Sequence, residues 1–231
     1  FDKFGNNLNT PINIPAASMN PGIMIETVTD TTNSKVTVTF QYQPSVVGQY
    51  ELAFVQCNLD LTGCSAPVTF SSLIGNMADG LPLWIKHSQG LYDATTNKFY
   101  LITSMGNTEA SADTIPKLII CNPDMTGCSA QTIHTAHRSG TKTKIAVDNF
   151  NNKLLILAYD STQSFSVELN RCTLTGTGCT RKNLTGSFGM NIGSNIANPF
   201  IDTVNKKLRF VAINNANGGV LSMFSMLLYI D

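Results

Sequence analysis

Short runs of β-branched, aliphatic and aromatic residues, separated by turns rich in Asn, Gly, Asp and Ser, make up nearly the whole chain. Four of these runs begin alike. VTVTF (36–40), FYLIT (99–103), LLILA (154–158) and LRFVA (208–212) each follow directly on a turn of the form Asp-x-x-x-x-Lys, opening at Asp30, Asp93, Asp148 and Asp202. The Asp-to-Asp steps are 63, 55 and 54 residues. A recurring unit of this size is the signature of a repeat architecture. The runs have the length and composition of strands and the turns have turn chemistry. No segment sustains a capped 3.6-residue apolar period, so long helices are not expected.

The cysteines keep step with the turns. Cys57-NLDLTG-Cys64, Cys121-NPDMTG-Cys128 and Cys172-TLTGTG-Cys179 begin 27, 28 and 24 residues after their aspartates and account for all 6 cysteines. Each pair brackets six residues, with Gly just before the second Cys, between two stretches that read as strands. Disulfides Cys57–Cys64, Cys121–Cys128 and Cys172–Cys179 across hairpins are expected, because paired strands bring Cβ atoms within bridging distance. Zinc half-sites are disfavoured. Zinc ligands come at shorter spacing with further Cys or His nearby, and three pairs would strand one. A chain built this way suits an oxidising compartment.

The fourth copy has no cysteines, and the termini explain why. After KKLRFVAIN it continues as VLSMFSMLLYID, and Asp231 falls at the register of Asp60 in the first hairpin. At the other end, TPINIPAAS (10–18) resembles APVTFSS and AQTIHTA, the strands that follow a second Cys. Four units of four antiparallel strands result, at about 18–74, 75–136, 137–187 and 188–231 plus 10–17. This is the closure of an all-β, four-bladed β-propeller, with the N-terminal strand completing the last blade within one domain, 1–231. A solenoid would need capping ends instead.

Composition narrows the function classes. Charged residues are only 13% of the chain, against about 25% in ordinary domains, and the formal net charge is zero. Nucleic acid, which calls for a basic face, and anionic lipid are therefore not expected partners. No 18-residue apolar run predicts a membrane span. The opening FDKFGNNLNT is not a signal peptide, so the leader of a secreted chain would have been removed or would lie outside this sequence. A secreted or cell-surface location is expected, with a protein or carbohydrate partner, or copies of the chain itself.

The units resemble β-propeller proteins over residues 10–231, and their number is similar to the hemopexin-like domains. YDATTNKFYLIT looks like the Asp-Ala opening of a hemopexin repeat, and the Asp turns look like the Asp-box hairpins of sialidase-type propellers. The C-N-x-D-x-T-G-C hairpins look like those of extracellular bacterial repeat proteins. The resemblance implies a propeller and carries no catalytic residue to a numbered position.

Chemistry-bearing residues are few. The turn aspartates read as Asx-type caps rather than calcium ligands. His134 and His137 lie on opposite faces of a strand, and His87 stands alone, so no metal site or cofactor is expected. Asn183-Leu184-Thr185 is a glycosylation sequon. Arg138, Arg171, Arg181 and Arg209 fall at unrelated repeat positions. One row recurs in all units: Glu26, Gln89, Lys144 and Asn198, each four residues before its Asp, on what should be the innermost strand. Val28, Leu91, Ala146 and Phe200 stand two residues later. Coming from four blades, the polar row could line the central channel as a ligand site, with Glu26 and Lys144 paired across it. No catalytic residue is assigned. The leading expectation is a non-enzymatic extracellular binding or structural module that presents loops on a disulfide-stapled ring. The alternatives are a self-assembling surface or filament component, and a propeller-type glycoside hydrolase or lyase. The last needs two carboxylates facing one cleft, to be sought among acids such as Glu26, Glu51, Glu109 and Glu168.

Overall fold

The computed structural model describes residues 20–43, 50–70, 73, 84–106, 114–133, 139–160, 166–184, 192–196, 198–214 and 220–227. They form four antiparallel sheets. The first joins β1 (Asn20–Asp30), β2 (Lys35–Gln43), β3 (Glu51–Asn58) and β4 (Val68–Thr69) in chain order. The second does the same with β5 (Trp84–Asp93), β6 (Lys98–Gly106), β7 (Thr114–Cys121) and β8 (Ser129–Thr132). The third is built from β9 (Ser139–Asp148), β10 (Lys153–Asp160), β11 (Ser166–Thr173) and β12 (Thr180–Asn183).

The fourth sheet differs. Its first edge is in two pieces, β13 (Ile192–Ile196) and β14 (Phe200–Asp202), both paired to β15 (Lys207–Asn214), while β16 (Val220–Leu227) pairs on the other side. Pro199, which has no N–H to give a ladder, falls at the break. The fourth sheet therefore holds its four strands in three ranks. The expected partner strand, residues 10–17, lies outside the described residues.

The strand that leads into each Asp turn lies at the edge of its sheet, and these edges meet: β1 touches β5, β5 touches β9, and β9 touches β13. Sheet faces stack between them. Val28, Phe54, Phe99 and Leu101 join the first and second sheets. Tyr100, Leu118, Ile145 and Ile156 join the second and third. Leu155, Leu169, Leu208 and Phe210 join the third and fourth. The second and third sheets are flanked on both faces in this way, which is why β6 and β10 carry buried apolar residues on both sides, whereas Met223 on β16 of the fourth sheet is exposed.

The turns that frame the inner strands repeat in detail. Asp30 accepts the Asn33 N–H at 2.9 Å and its carboxamide at 2.7 Å. Asp93 holds the N–H and hydroxyl of Thr96, Asp148 the N–H and carboxamide of Asn151, and Asp202 those of Asn205. The residue before each Lys then takes positive φ: Ser34, Asn97, Asn152 and Lys206, at 50 to 54°. The aspartate caps a left-handed turn, at the chemical cost that a non-glycine residue incurs there. The three expected disulfides are formed, with first cysteines buried at 1% exposure or less. Each closes a turn with a left-handed residue, Leu61, Met125 or Gly176, and a second, Gly63, Gly127 or Gly178.

Candidate functional site

In the first three sheets both rows of the inner strands face the neighbouring sheet, while in the fourth Phe200 and Asn198 are exposed. Val28 packs with Phe99 and Leu101 of the second sheet, and Ala146 with Leu208 and Phe210 of the fourth. Residues two positions earlier share those faces, so the polar row opens onto the seams where inner strands converge.

The four members of the row have different fates. Gln89 is 4% exposed, and both ends of its carboxamide bind one residue of the next sheet. Its Oε1 accepts the Ile145 N–H at 2.8 Å, and its Nε2 donates to the Ile145 carbonyl at 3.3 Å. This amide stitches β5 to β9. Glu26 is half-buried. Burial raises its carboxyl above the usual range, and the Lys144 ammonium, half-buried on β9 two sheets away, pulls it back down without cancelling the rise. Glu26 and Lys144 are thus brought within electrostatic reach of each other. Asn198 is exposed, outside the inner strand, at the Pro199 break.

The remaining candidates sort by surroundings. Glu168 is buried on β11, with Oε1 3.2 Å from Arg181 Nε. Glu51 accepts the Tyr42 hydroxyl at 2.6 Å. Arg209 is spent on Asp202, at 2.6 Å. His134, His137, Arg138 and Glu109 lie outside the described residues, as does the side chain of His87. Among the described residues no three metal-ligating side chains cluster, and no helix is long and apolar enough to cross a membrane.

Side chains that the row did not include also cross the seams. Gln41 Nε2 donates to the Ile85 carbonyl at 2.7 Å and Gln56 Nε2 to the Pro123 carbonyl at 2.7 Å, both joining the first sheet to the second. Lys35 and Lys98 each place Nζ 2.7 Å from an Asn oxygen, Asn58 and Asn122. The last pairing had a signal. Asn follows Cys in the first and second units but not in the third, where Thr173 stands.

No protein-family model and no curated protein matches the sequence. Solved structures do match in fold. An exo-β-1,3-galactanase from Clostridium thermocellum superposes with a TM-score of 0.54 at 7% identity, covering 90% of this chain and 46% of that one. A family 117 glycoside hydrolase of the marine bacterium Zobellia galactanivorans gives 0.53 at 11%, covering 90% and 64%. A family 43 β-1,3-galactosidase gives 0.52 at 8%, covering 81% and 39%. The chain thus spans two fifths to two thirds of the length of these structures. At such identities the likeness is one of fold, and it supports the propeller resemblance while lending nothing to the hemopexin-like or Asp-box one. It also corrects the leading expectation. A non-enzymatic binding or structural module does not stand against matches that are glycoside hydrolases, and the propeller-type hydrolase reading takes its place as the one to test.

Proposed function

We propose that the chain is a propeller-type glycoside hydrolase acting where its inner strands converge, with Glu26 as the proton donor. The observation that carries this reading is the fold likeness to three glycoside hydrolases, two of which act on β-1,3-galactosyl linkages by their names. The electrostatics of Glu26 supports it further. A carboxyl raised by burial holds its proton closer to neutral pH, as a general acid must. Lys144 limits that rise and stabilises the carboxylate left once the proton has gone. In the reaction the Glu26 proton passes to the glycosidic oxygen as the bond to the anomeric carbon breaks. Water supplies hydroxide to that carbon, and a second carboxylate takes up the water's other proton. Gln89 serves this site as a strut, since its carboxamide is occupied by Ile145.

Two structural expectations belong to the same reading. One is that residues 10–17, which lie outside the described residues, would add an outer strand beside β16, close a ring of four sheets and cover an edge otherwise open to pairing. The other is a secreted location, which the three disulfides support because such bridges persist in oxidising compartments, where a secreted enzyme would meet polysaccharide.

The test is turnover of β-1,3-galactobiose and a panel of chromogenic aryl glycosides. Glu26→Gln should lower kcat about 10²–10⁴-fold with an unchanged melting temperature. An amide scan of the remaining acids then identifies the second carboxylate as the other position with a loss of that size. Absence of turnover on every substrate, or a fully active Glu26→Gln protein, overturns the proposal.

A further inference from the structure

A cleft of about 650 Å³ opens between the first and second sheets at the end carrying the Asp and disulfide turns. It lies four residues along β1 from Glu26, or about 13 Å at the rise of a strand. Its walls are tied together at two places. Asn33 donates to the Tyr92 hydroxyl at 3.2 Å, which donates on to Asn97 at 2.8 Å. The Gln56–Pro123 bond ties the other side. The cleft is therefore pre-formed, and its size falls within the roughly 300–1,000 Å³ of small-ligand sites.

Two ammonium groups line it, Lys35 and Lys98, against one carboxylate, Asp124. Each ammonium is aimed by a neutral carboxamide, so its charge is oriented without being cancelled. Each carboxamide is itself held. Asn58 donates to Thr62 at 3.2 Å and Thr62 to Asp60 at 2.6 Å, while Asn122 donates to Thr126 at 3.3 Å and Thr126 to Asp124 at 2.6 Å. The disulfide turn, in other words, positions the lysine of its own unit. The seam between the second and third sheets presents only one such lysine, and Lys153 of the third unit is not in its lining. Its cleft, about 540 Å³, holds one lysine, Lys98, among Tyr100, Ile120 and Leu174.

We propose that the first cleft binds an acidic saccharide, one whose carboxylate or sulfate lies between Lys35 and Lys98. Its hydroxyl groups donate to the carboxamide oxygens of Asn33 and Gln56, whose N–H groups are held by Asp30, Tyr92, Thr37 and Pro123, and accept from the carboxamide nitrogen of Asn97, whose oxygen is held by Tyr92. Pro123 is the one apolar residue of the lining, and an acidic peptide would find no apolar anchor. The site is independent of hydrolysis at Glu26.

The experiment is calorimetric titration at two salt concentrations with trigalacturonate, a sulfated galactose disaccharide, neutral galactotriose, inorganic sulfate and a hexa-aspartate peptide. The acidic saccharides should bind saturably and more weakly at high salt, and Glu26→Gln should bind them unchanged even if all hydrolytic activity is lost. Lys98→Met should weaken binding at least tenfold and Lys98→Arg much less, with melting curves confirming the fold. Asp124→Asn, which keeps the Oδ1 that caps Thr126 and removes the opposing charge, should bind about tenfold tighter. Equal binding of galactotriose, equal binding of sulfate alone, preference for the peptide, no binding at all, or indifference to both Lys98→Met and Asp124→Asn would each overturn the assignment.

Discussion

Replacing Gln89 with leucine separates a strut from a ligand group. The side chain is almost fully buried and makes two bonds to the backbone of Ile145. Leucine is of similar volume and leaves no cavity, but it strands a buried N–H and a buried carbonyl. Each orphaned group costs about 1–3 kcal/mol. The donor bond to the carbonyl, at 3.3 Å, belongs at the lower end of that range, and leucine's apolar surface returns about 1 kcal/mol. The net loss is then about 1–3 kcal/mol. For a domain of this size each kcal/mol moves Tm by about 2–4 °C, so Tm should fall by roughly 2–12 °C. Gln41→Leu is the internal control. Gln41 makes one cross-sheet bond, to Ile85, and its replacement should cost about half as much. Thermal and urea unfolding of both variants under identical conditions measures the ratio. A Gln89→Leu protein that melts with the wild type, yet loses substrate binding, would refute the strut and restore Gln89 as a ligand contact.

Other consequences follow from particular contacts. A Cβ on Gly90 would sit 2.5 Å from Val28 Cγ2 and 3.2 Å from Phe99 Cζ, so Gly90→Ala should cost about 1–3 kcal/mol by overpacking; in a double-mutant cycle, Val28→Ala should recover part of it, and simple additivity would count against the close approach. Removing one hairpin bridge, Cys121→Ser with Cys128→Ser, should cost about 2–3 kcal/mol from a ring this small and leave the circular dichroism of the sheet intact; loss of the β signal would show that the bridge holds the fold. Hydrogen bonds from Thr62 and Thr126 depress the carboxyls of Asp60 and Asp124. At Asp93 burial opposes the charge, but bonds from Asn149 and Thr96 outweigh it. At Asp202 the Asn205 N–H and carboxamide, with Arg209, hold the carboxyl down to about 2. Depressed carboxyls stabilise the fold above their unfolded value of about 3.9 and lose that contribution as pH falls through the folded values. The urea midpoint should therefore drop between about pH 4 and pH 2, and Asp202→Asn should flatten the drop; a midpoint that held steady to pH 2 would contradict the caps.

The repeat, the strand order within each unit and the disulfides were legible because each is written in residues that act locally. An Asp that caps its own turn, or two cysteines seven apart, needs no knowledge of the rest of the chain. The polar row was legible only as a row. Glu26, Gln89, Lys144 and Asn198 share a register, yet their roles are set by what the next sheet presents. Gln89 meets an inner-strand N–H and carbonyl and is consumed by them. Glu26 looks past its neighbour to a lysine on the third sheet. Asn198 sits beside a proline that breaks its strand, and it stays in solvent. The same register thus yields a strut, two groups within electrostatic reach of each other and a surface residue, because the neighbouring sheets present different partners to one spacing. The relay from Lys98 through Asn122 to the disulfide turn shows the converse. Its members are 24 residues apart in sequence, but its recurrence in the first two units and its absence from the third follow the one position after the first Cys. A register that keeps the lysine and changes the asparagine keeps the fold and discards the aimed charge, and this is why the acidic-ligand cleft is expected in one seam of the propeller and not in its neighbour.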